Sequence, residues 1–449
     1  MKLDLPLAPP VARATMLCAV LALCGWLLYL VLCDFIVGAL TDERIRMTAD
    51  TSPASFITAP FNDDRLGVHP DVVAAAARYL PNSPRLHMRL AEYQRYREKD
   101  QWDFARYHAK QAIRLSPHDY RPRLQLAAIE LSREDVHAAE QSVRAALQLA
   151  PGNLEAHWQL GSLLLSKGDL AGSLEAFRVA ASGHEAYFLA ALKLVWDASG
   201  ENADAVRAIT PDSPKERIGL AQFLLEQSRP LESAAVFRQI DHEALLGDPK
   251  SSHYLNSLIA AGHFALARDL WCGLRRWGSE APEETTNLMW NGGFESGILV
   301  DFAQFDWSIR TSGYARISID PQTAHSGRRS LRVDFVGRDT TRLEEEIRQL
   351  TLVRPGTRYR LHYYVKTEGL SAPEGPRVVL FGASSREWIA ASDPAPAGSN
   401  GWQQRTLEFA ASSPALTVAI QQRPRFSYEE PTRGTVWFDD FEVREIHAR

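Results

Sequence analysis

The chain has 449 residues, of which 45% are hydrophobic and 23% charged, with a formal net charge of -5. That length exceeds what one compact core usually serves, so two or three domains are expected. The charges are mixed in sign and no basic run is interleaved with aromatics, which argues against a nucleic-acid partner; the arginines between Arg328 and Arg348 are diluted by Glu344, Glu345 and Glu346 and read as a solvated face.

After a short tail (residues 1–13), Ala14 to Cys33 carry no charge. At about 1.5 Å of rise per residue such a run spans roughly the 30 Å of a hydrocarbon core, so 14–40 is predicted to be a transmembrane helix. The rival is a secretory signal cut near Val37-Gly38-Ala39, although signal cores are shorter. Lys2 and Arg13 precede the run, and Asp42, Glu43, Arg44 and Arg46 follow it. This weak bias predicts a single-pass protein with its N-terminus in the cytoplasm and its bulk exported, on the periplasmic side of a bacterial inner membrane. Cys18, Cys24 and Cys33 fall inside the run and only Cys272 lies beyond it. Neither an internal disulfide nor a zinc-ligand spacing is therefore expected in the soluble part.

Residues 41–69, with Pro53 and Pro60 and no sustained period, read as a linker. Helical patterning begins after Pro70, with Asp71 to Leu80 as a half-repeat cap. Pro117 and Pro151 stand 34 residues apart, each after an Ala-rich helix: Ala105, Ala109 and Ala112 before the first, Ala139, Val143 and Ala146 before the second. A further copy starts near Leu154, with Leu160-Gly161, Leu164, Gly168, Phe177 and Ala180. Leu220-Ala221, Leu224 and Phe237 fit another, and Gly262, Ala267 and Trp271 a last one. His184 to Pro211 fits poorly and reads as a shortened copy. The 34-residue period with small residues at these offsets resembles tetratricopeptide repeats. The resemblance implies five or six degenerate copies over 70–276, an all-α superhelix whose groove would take a protein or peptide partner.

Residues 277–287 read as a second linker. Beyond it the period changes to two: Leu331, Val333 and Phe335 alternate, as do Tyr359, Leu361, Tyr363 and Val365, and Leu416, Val418 and Ile420. Turn signals at Pro355-Gly356, Glu374-Gly375-Pro376, Gly398 to Gly401 and Arg433-Gly434 break the runs, as in an all-β sandwich. Several motifs come in order: Asn291-Gly292-Gly293-Phe294-Glu295, His325-Ser326-Gly327, Ser330-Leu331-Arg332-Val333, Gly401-Trp402, and Val436-Trp437-Phe438-Asp439-Asp440-Phe441. Together they make 288–446 similar to jelly-roll carbohydrate-binding modules of the family 4, 9 and 22 type, with a galactose-binding-like fold. The resemblance implies a binding module, and a structural calcium near the meeting of first and last strands. Glu295 with Asp439 or Asp440 would begin its hard-oxygen shell. The other reading makes them hydrogen-bonded strand-end carboxylates without metal. By strand alternation, Trp437, Asp439 and Phe441 share one face and Phe438 and Asp440 the other.

No GxSxG, P-loop, GxGxxG or HExxH motif occurs, and the histidines are scattered, His325 in a structural turn. A glycosidase needs two carboxyls about 5–10 Å apart on one side. Adjacent residues of a strand face opposite ways, so neither Glu344–Glu346 nor Asp439-Asp440 supplies the pair. No catalytic residue and no cofactor beyond the calcium is assigned. Glycan binding calls for flat aromatics with planar polar partners. The candidates are Trp307, Trp388 and Tyr428, with Arg377, Gln421, Gln422 and Arg423; Trp388 is the foremost, because Ser384-Ser385-Arg386-Glu387 before it reads as a rim loop. Trp402 and Trp437 read as core. The fold class expected is multidomain: a transmembrane helix, an all-α superhelix and an all-β jelly roll. The function expected is a non-enzymatic envelope scaffold joining protein interaction to glycan binding, in polysaccharide synthesis or export. The alternatives are a pure protein scaffold whose sandwich binds no sugar, and last a glycosidase.

Overall fold

The computed structural model of the protein describes residues 10–41, 70–97, 102–276, 287–426 and 428–446. The linkers expected at 41–69 and 277–287 lie, but for Thr41 and Asn287, outside the described residues, as do residues 1–9 of the tail. The chain parts into two compact units, 1–212 and 213–449.

The first unit begins with one uninterrupted helix, α1 (Pro10–Thr41). Its stretch Leu21–Gly38 is long and apolar enough to cross a membrane, as the core of a signal sequence near an N-terminus can also be. Most of its described apolar side chains are exposed, and Val37 near its end packs with Val73, Leu86 and Leu90. Among the described residues nine shorter helices follow: α2 (Pro70–Tyr79), α3 (Pro84–Arg97), α4 (Trp102–Leu115), α5 (Arg121–Ser132), α6 (Val136–Leu149), α7 (Leu154–Ser166), α8 (Leu170–Ala181), α9 (Glu185–Ala198) and α10 (Ala203–Ile209). From α3 on, they pack as consecutive pairs. The poorly fitting copy is the pair α9–α10, whose second helix has only 7 residues.

The repeat is written most plainly in the turn inside each pair. Glu134, Gly168 and Gly200 all have positive φ, and the next or following amide closes a six-residue turn: Asp135 N to Glu130 O, Asp169 N to Leu164 O, and Glu201 N to Trp196 O, each 2.9 Å. This left-handed ending leaves no helix carbonyl stranded and suits glycine, though Glu134 accepts the strain. Asp135 and Asp169, 34 residues apart, then cap the next helix by accepting from Ala138 N and Gly172 N. The Ala positions are packing positions: Ala105, Ala109, Ala112, Ala139, Val143, Ala146 and Ala180 are fully buried.

At Gly161 a Cβ would stand 2.8 Å from the Phe177 ring of the partner helix. Gly161→Leu is therefore expected to cost about 1–3 kcal/mol by overpacking, read from the urea midpoint of the full chain. An unchanged midpoint would contradict this helix pairing.

Among its described residues the second unit carries five more helices: α11 (Pro214–Glu226), α12 (Pro230–Arg238), α13 (His242–Gly247), α14 (Pro249–Ala260) and α15 (Phe264–Arg276). Ser228 and Gly262 repeat the positive-φ turn. Two five-stranded antiparallel sheets follow: β1 (Ser308–Ile309), β2 (Ala315–Asp320), β3 (Ser330–Val336), β4 (Ile347–Leu352), β5 (Arg358–Ser371), β6 (Arg377–Gly382), β7 (Trp388–Ala391), β8 (Gly398–Ala410), β9 (Ala415–Gln421) and β10 (Arg433–Glu445). One sheet has the order β1-β4-β9-β6-β7, the other β2-β3-β10-β5-β8. The three alternating sets read from the sequence all face the core between them.

The last helices belong to the same compact unit as the sandwich and pack on it. Trp271 of α15 is fully buried, with rings of Trp290 and Phe305 at 5.2 and 5.7 Å, and its indole N–H donates to Phe302 O at 2.6 Å. Gln304 donates to Ser252 Oγ of α14 at 2.9 Å. Arg268 and Trp271 line a narrow gap with Leu350 and Leu352, so α15 overlies the end of β4.

The last strand corrects the alternation expected over 437–441. Asp440 has φ 49° and the pairing of β10 with β5 slips between Asp439 and Glu442, which is a β-bulge. Val436, Phe438, Phe441 and Val443 all reach the core as a result. Trp437 is buried on the opposite face, beneath Lys366 and Arg332, whose cationic heads are 5.0 and 5.4 Å from its ring.

Candidate functional site

Directly opposed residues of neighbouring strands share a face. Arg348, Ala419, Val379 and Ala391 make one such row across β4, β9, β6 and β7; Leu350, Thr417, Phe381 and Trp388 make the next. Val378, Leu380, Leu416, Val418 and Ile420 point the other way, into the core. Both rows therefore lie on the outer face. Val379 and Ala419 are nonetheless buried, whereas Trp388, on the edge strand, is 63% exposed. The face thus has a sunken small-residue floor and an aromatic at its rim.

Charged groups stand beside this floor. Glu345 accepts from Arg348 at 3.0 Å and from Arg386 at 3.0 and 3.1 Å. Arg386, in the β6–β7 turn, and Glu345, ahead of β4, lie on either side of β9, so their contact crosses the outer face. Arg377 is half-buried and pairs with Glu374, which also holds Arg425 at 3.2 Å. The candidate glutamines are internal braces: Gln421 donates to Glu344 O at 3.0 Å and Gln422 to Glu374 O at 2.6 Å, both side chains buried. Tyr428 is 83% exposed and stacks on Phe426, itself exposed, at 5.8 Å. Arg423 is exposed in the same loop.

Trp307 is corrected. It is fully buried, stacked on Phe294 at 5.0 Å, and its N–H donates to Asn291 O at 3.0 Å, so it presents no surface to a ligand. Phe381 and Phe426 were not singled out by the sequence, and Arg348 and Glu345 were read there as part of a solvated face. The placement of Phe381 and Arg348 on this face comes from strand pairing between segments far apart in the chain, which no local pattern reports.

The carboxylates gather at the bulge. Asp439, fully buried, accepts from His325 N at 2.7 Å and Asp440 N at 2.8 Å. Asp440 accepts from Ser326 Oγ at 2.7 Å and His325 Nδ1 at 2.6 Å. Glu295 accepts from the N–H groups of Arg328 and Arg329 at 2.7 and 2.8 Å. All three hold the 325–329 turn. His325 is more than a turn residue: its ring stacks on Tyr364 at 3.5 Å and meets Trp402, which is half-exposed on the sheet's outer side rather than in the core, edge-on at 5.8 Å. Because of the bulge, both aspartates serve one turn, which strict alternation forbade.

These groups also fit a hard cation. A Cβ on Gly293 would lie 3.3 Å from Asp440 Oδ1, 3.8 Å from Asp439 Oδ1 and 3.9 Å from Glu295 Cγ, so the missing side chain leaves a cradle among oxygens. Burial, and further the neighbouring Asp440 charge, push the Asp439 carboxyl up to about 6 against the pull of its backbone N–H bonds. A cation would relieve that crowding. Among the described residues no three His, Cys, Asp or Glu side chains make up a metal shell by themselves, so backbone carbonyls would have to complete it.

Among solved structures, the chain is similar to the MamA protein (15% identity, TM-score 0.30, covering 43% of this chain and 94% of that one). It is also similar to the CBM22-1 xylan-binding domain of Paenibacillus barcinonensis Xyn10C (17%, 0.24, 35% and 94%) and to a CBM4 structure (17%, 0.27, 35% and 99%). No family model matches the sequence, and no curated protein matches it.

Proposed function

We propose that the protein is a membrane-anchored, non-enzymatic scaffold of a bacterial envelope, whose helical array docks a protein partner and whose sandwich binds a glycan on the outer face of the β1-β4-β9-β6-β7 sheet. The observation that carries the glycan reading is Trp388, 63% exposed beside Phe381 at the rim of a polar-edged floor. A flat ring there offers stacking area, and Arg348, Arg386 and Glu345 offer planar hydrogen-bonding groups to hydroxyls. In this reading α1 is the anchor and the bulk is exported, in polysaccharide synthesis or export.

The test is binding of the full chain to a panel of bacterial and plant polysaccharides. Trp388→Ala is expected to weaken any glycan bound by about tenfold, the equivalent of losing roughly 1.4 kcal/mol of stacking, with the unfolding midpoint unchanged. Absence of binding across the panel by the folded protein favours the second reading, a protein scaffold without sugar affinity. The observation behind that reading is α15 overlying Leu350 and Leu352, which withdraws the end of β4 from any ligand.

We further propose a calcium held by Glu295, Asp439 and Asp440, with a structural role in fixing the 325–329 turn. A ligand that binds only the folded state stabilises it by RT ln(1 + [L]/Kd), so calcium at a hundred times its Kd is expected to add about 2.7 kcal/mol. Glu295→Ala is expected to abolish that gain. A melting temperature indifferent to calcium and chelator alike would leave the carboxylates as hydrogen-bonded braces alone.

A further inference from the structure

We propose that the ligand of this sheet face is an acidic polysaccharide, whose carboxylates are received by Arg310, Arg348 and Arg386. The proposal rests on the glycan reading and narrows it. Three guanidinium groups meet on one face. Ser308 is opposed to Arg348, and Arg310, two residues along the same edge, shares its side of the sheet. A single carboxylate, Glu345, is divided between Arg348 and Arg386. The neighbouring Glu346 is turned back on the amides of Glu344 and Glu345. Among the described residues no carboxylate pairs with Arg310, which is exposed.

The electrostatics agree. Burial first, then the charges of Arg310 and Arg386, draw the Arg348 guanidinium down from its usual value, and Glu345 opposes them. Arg348 and Arg386 sharing one carboxylate, beside an Arg310 that has none among the described residues, is an arrangement that a neutral sugar would leave in place and a uronate would satisfy. Guanidinium groups also receive carboxylates with two parallel hydrogen bonds, which adds orientation to charge. Trp388 lies one row along from Arg348 and three strands away, roughly 14 Å at the usual strand spacing, so a chain lying across the sheet can meet the ring and the cations together.

The experiment uses the full chain in detergent. Affinity is measured for polygalacturonate and alginate, for the same polymers with their carboxyl groups reduced, and for neutral xylan and β-glucan, at low and high salt. Carboxyl reduction is expected to weaken binding by about tenfold, and salt to weaken binding of the acidic forms only. Arg386→Gln, at a side chain 74% exposed and so tolerable to the fold, is expected to weaken binding of the acidic forms about fivefold more than binding of the neutral ones. Arg310→Gln serves as a second variant, and unfolding midpoints report that both are intact. If reduced or neutral polymers bind as tightly as acidic ones, the anion assignment is overturned while the glycan reading stands. If no polymer binds, the glycan reading falls and this proposal with it.

Discussion

Trp271→Ala is expected to destabilise the second unit by about 3–5 kcal/mol, the usual cost of truncating a large buried aromatic. The indole fills the junction of α15 with the sandwich, touching Trp290 and Phe305, and its N–H satisfies Phe302 O. Alanine would leave a cavity and an acceptor without its donor, two costs that add. Urea unfolding followed by tryptophan fluorescence and far-ultraviolet dichroism measures it. Because the residue joins helices to strands, the variant is also expected to separate the two signals into distinct transitions. A single transition at the original midpoint would mean that α15 and the sandwich are coupled by something else.

The second large effect is expected at Gly292. A Cβ there would collide with the Phe441 carbonyl oxygen, and Phe441 N donates to Gly292 O at 3.0 Å. The obstacle is backbone on both sides, so no side chain can yield. Gly292→Ala is expected to cost about 2–4 kcal/mol, the range of severe overpacking and strain. It is also expected to displace the bulge at Asp440, lowering any calcium response. Gly293→Ala, whose Cβ would meet only side-chain atoms at 3.3 Å or more, is the comparison. Equal effects of the two substitutions would refute the backbone argument.

The 34-residue period was legible because it is set locally, by a left-handed turn and an aspartate cap that recur at Glu134-Asp135 and Gly168-Asp169. The sandwich core was legible for a like reason, since alternation at Leu331, Val333 and Phe335 is a strand's own geometry. What escaped the sequence is what depends on more than one segment. The bulge at Asp440 inverted the facing of Phe441, and a non-glycine residue at positive φ leaves no mark in a pattern of apolar positions. Trp271 matched a repeat position and gave no sign that its indole would serve the sandwich. Trp307 carried the composition of a sugar platform, but burial decides that, and burial belongs to the assembled sheets. The cluster of Arg348, Glu345 and Arg386 arises from the pairing of β4, β9 and β6, and is invisible to any window along the chain.

The packing of α15 against the sandwich also changes what residues 277–286 have to do. Both ends of that segment are fastened, one at α15 and the other at Leu288, whose N–H donates to Val443 O at 3.0 Å. Closing a segment between fixed ends costs free energy only as the logarithm of its length, about 0.6 kcal/mol for each doubling. By that measure a change in the length of the connection would leave the angle between the last helix and the outer sheet face untouched. The orientation of the sandwich is inherited from a buried tryptophan, not from the covalent connection beside it.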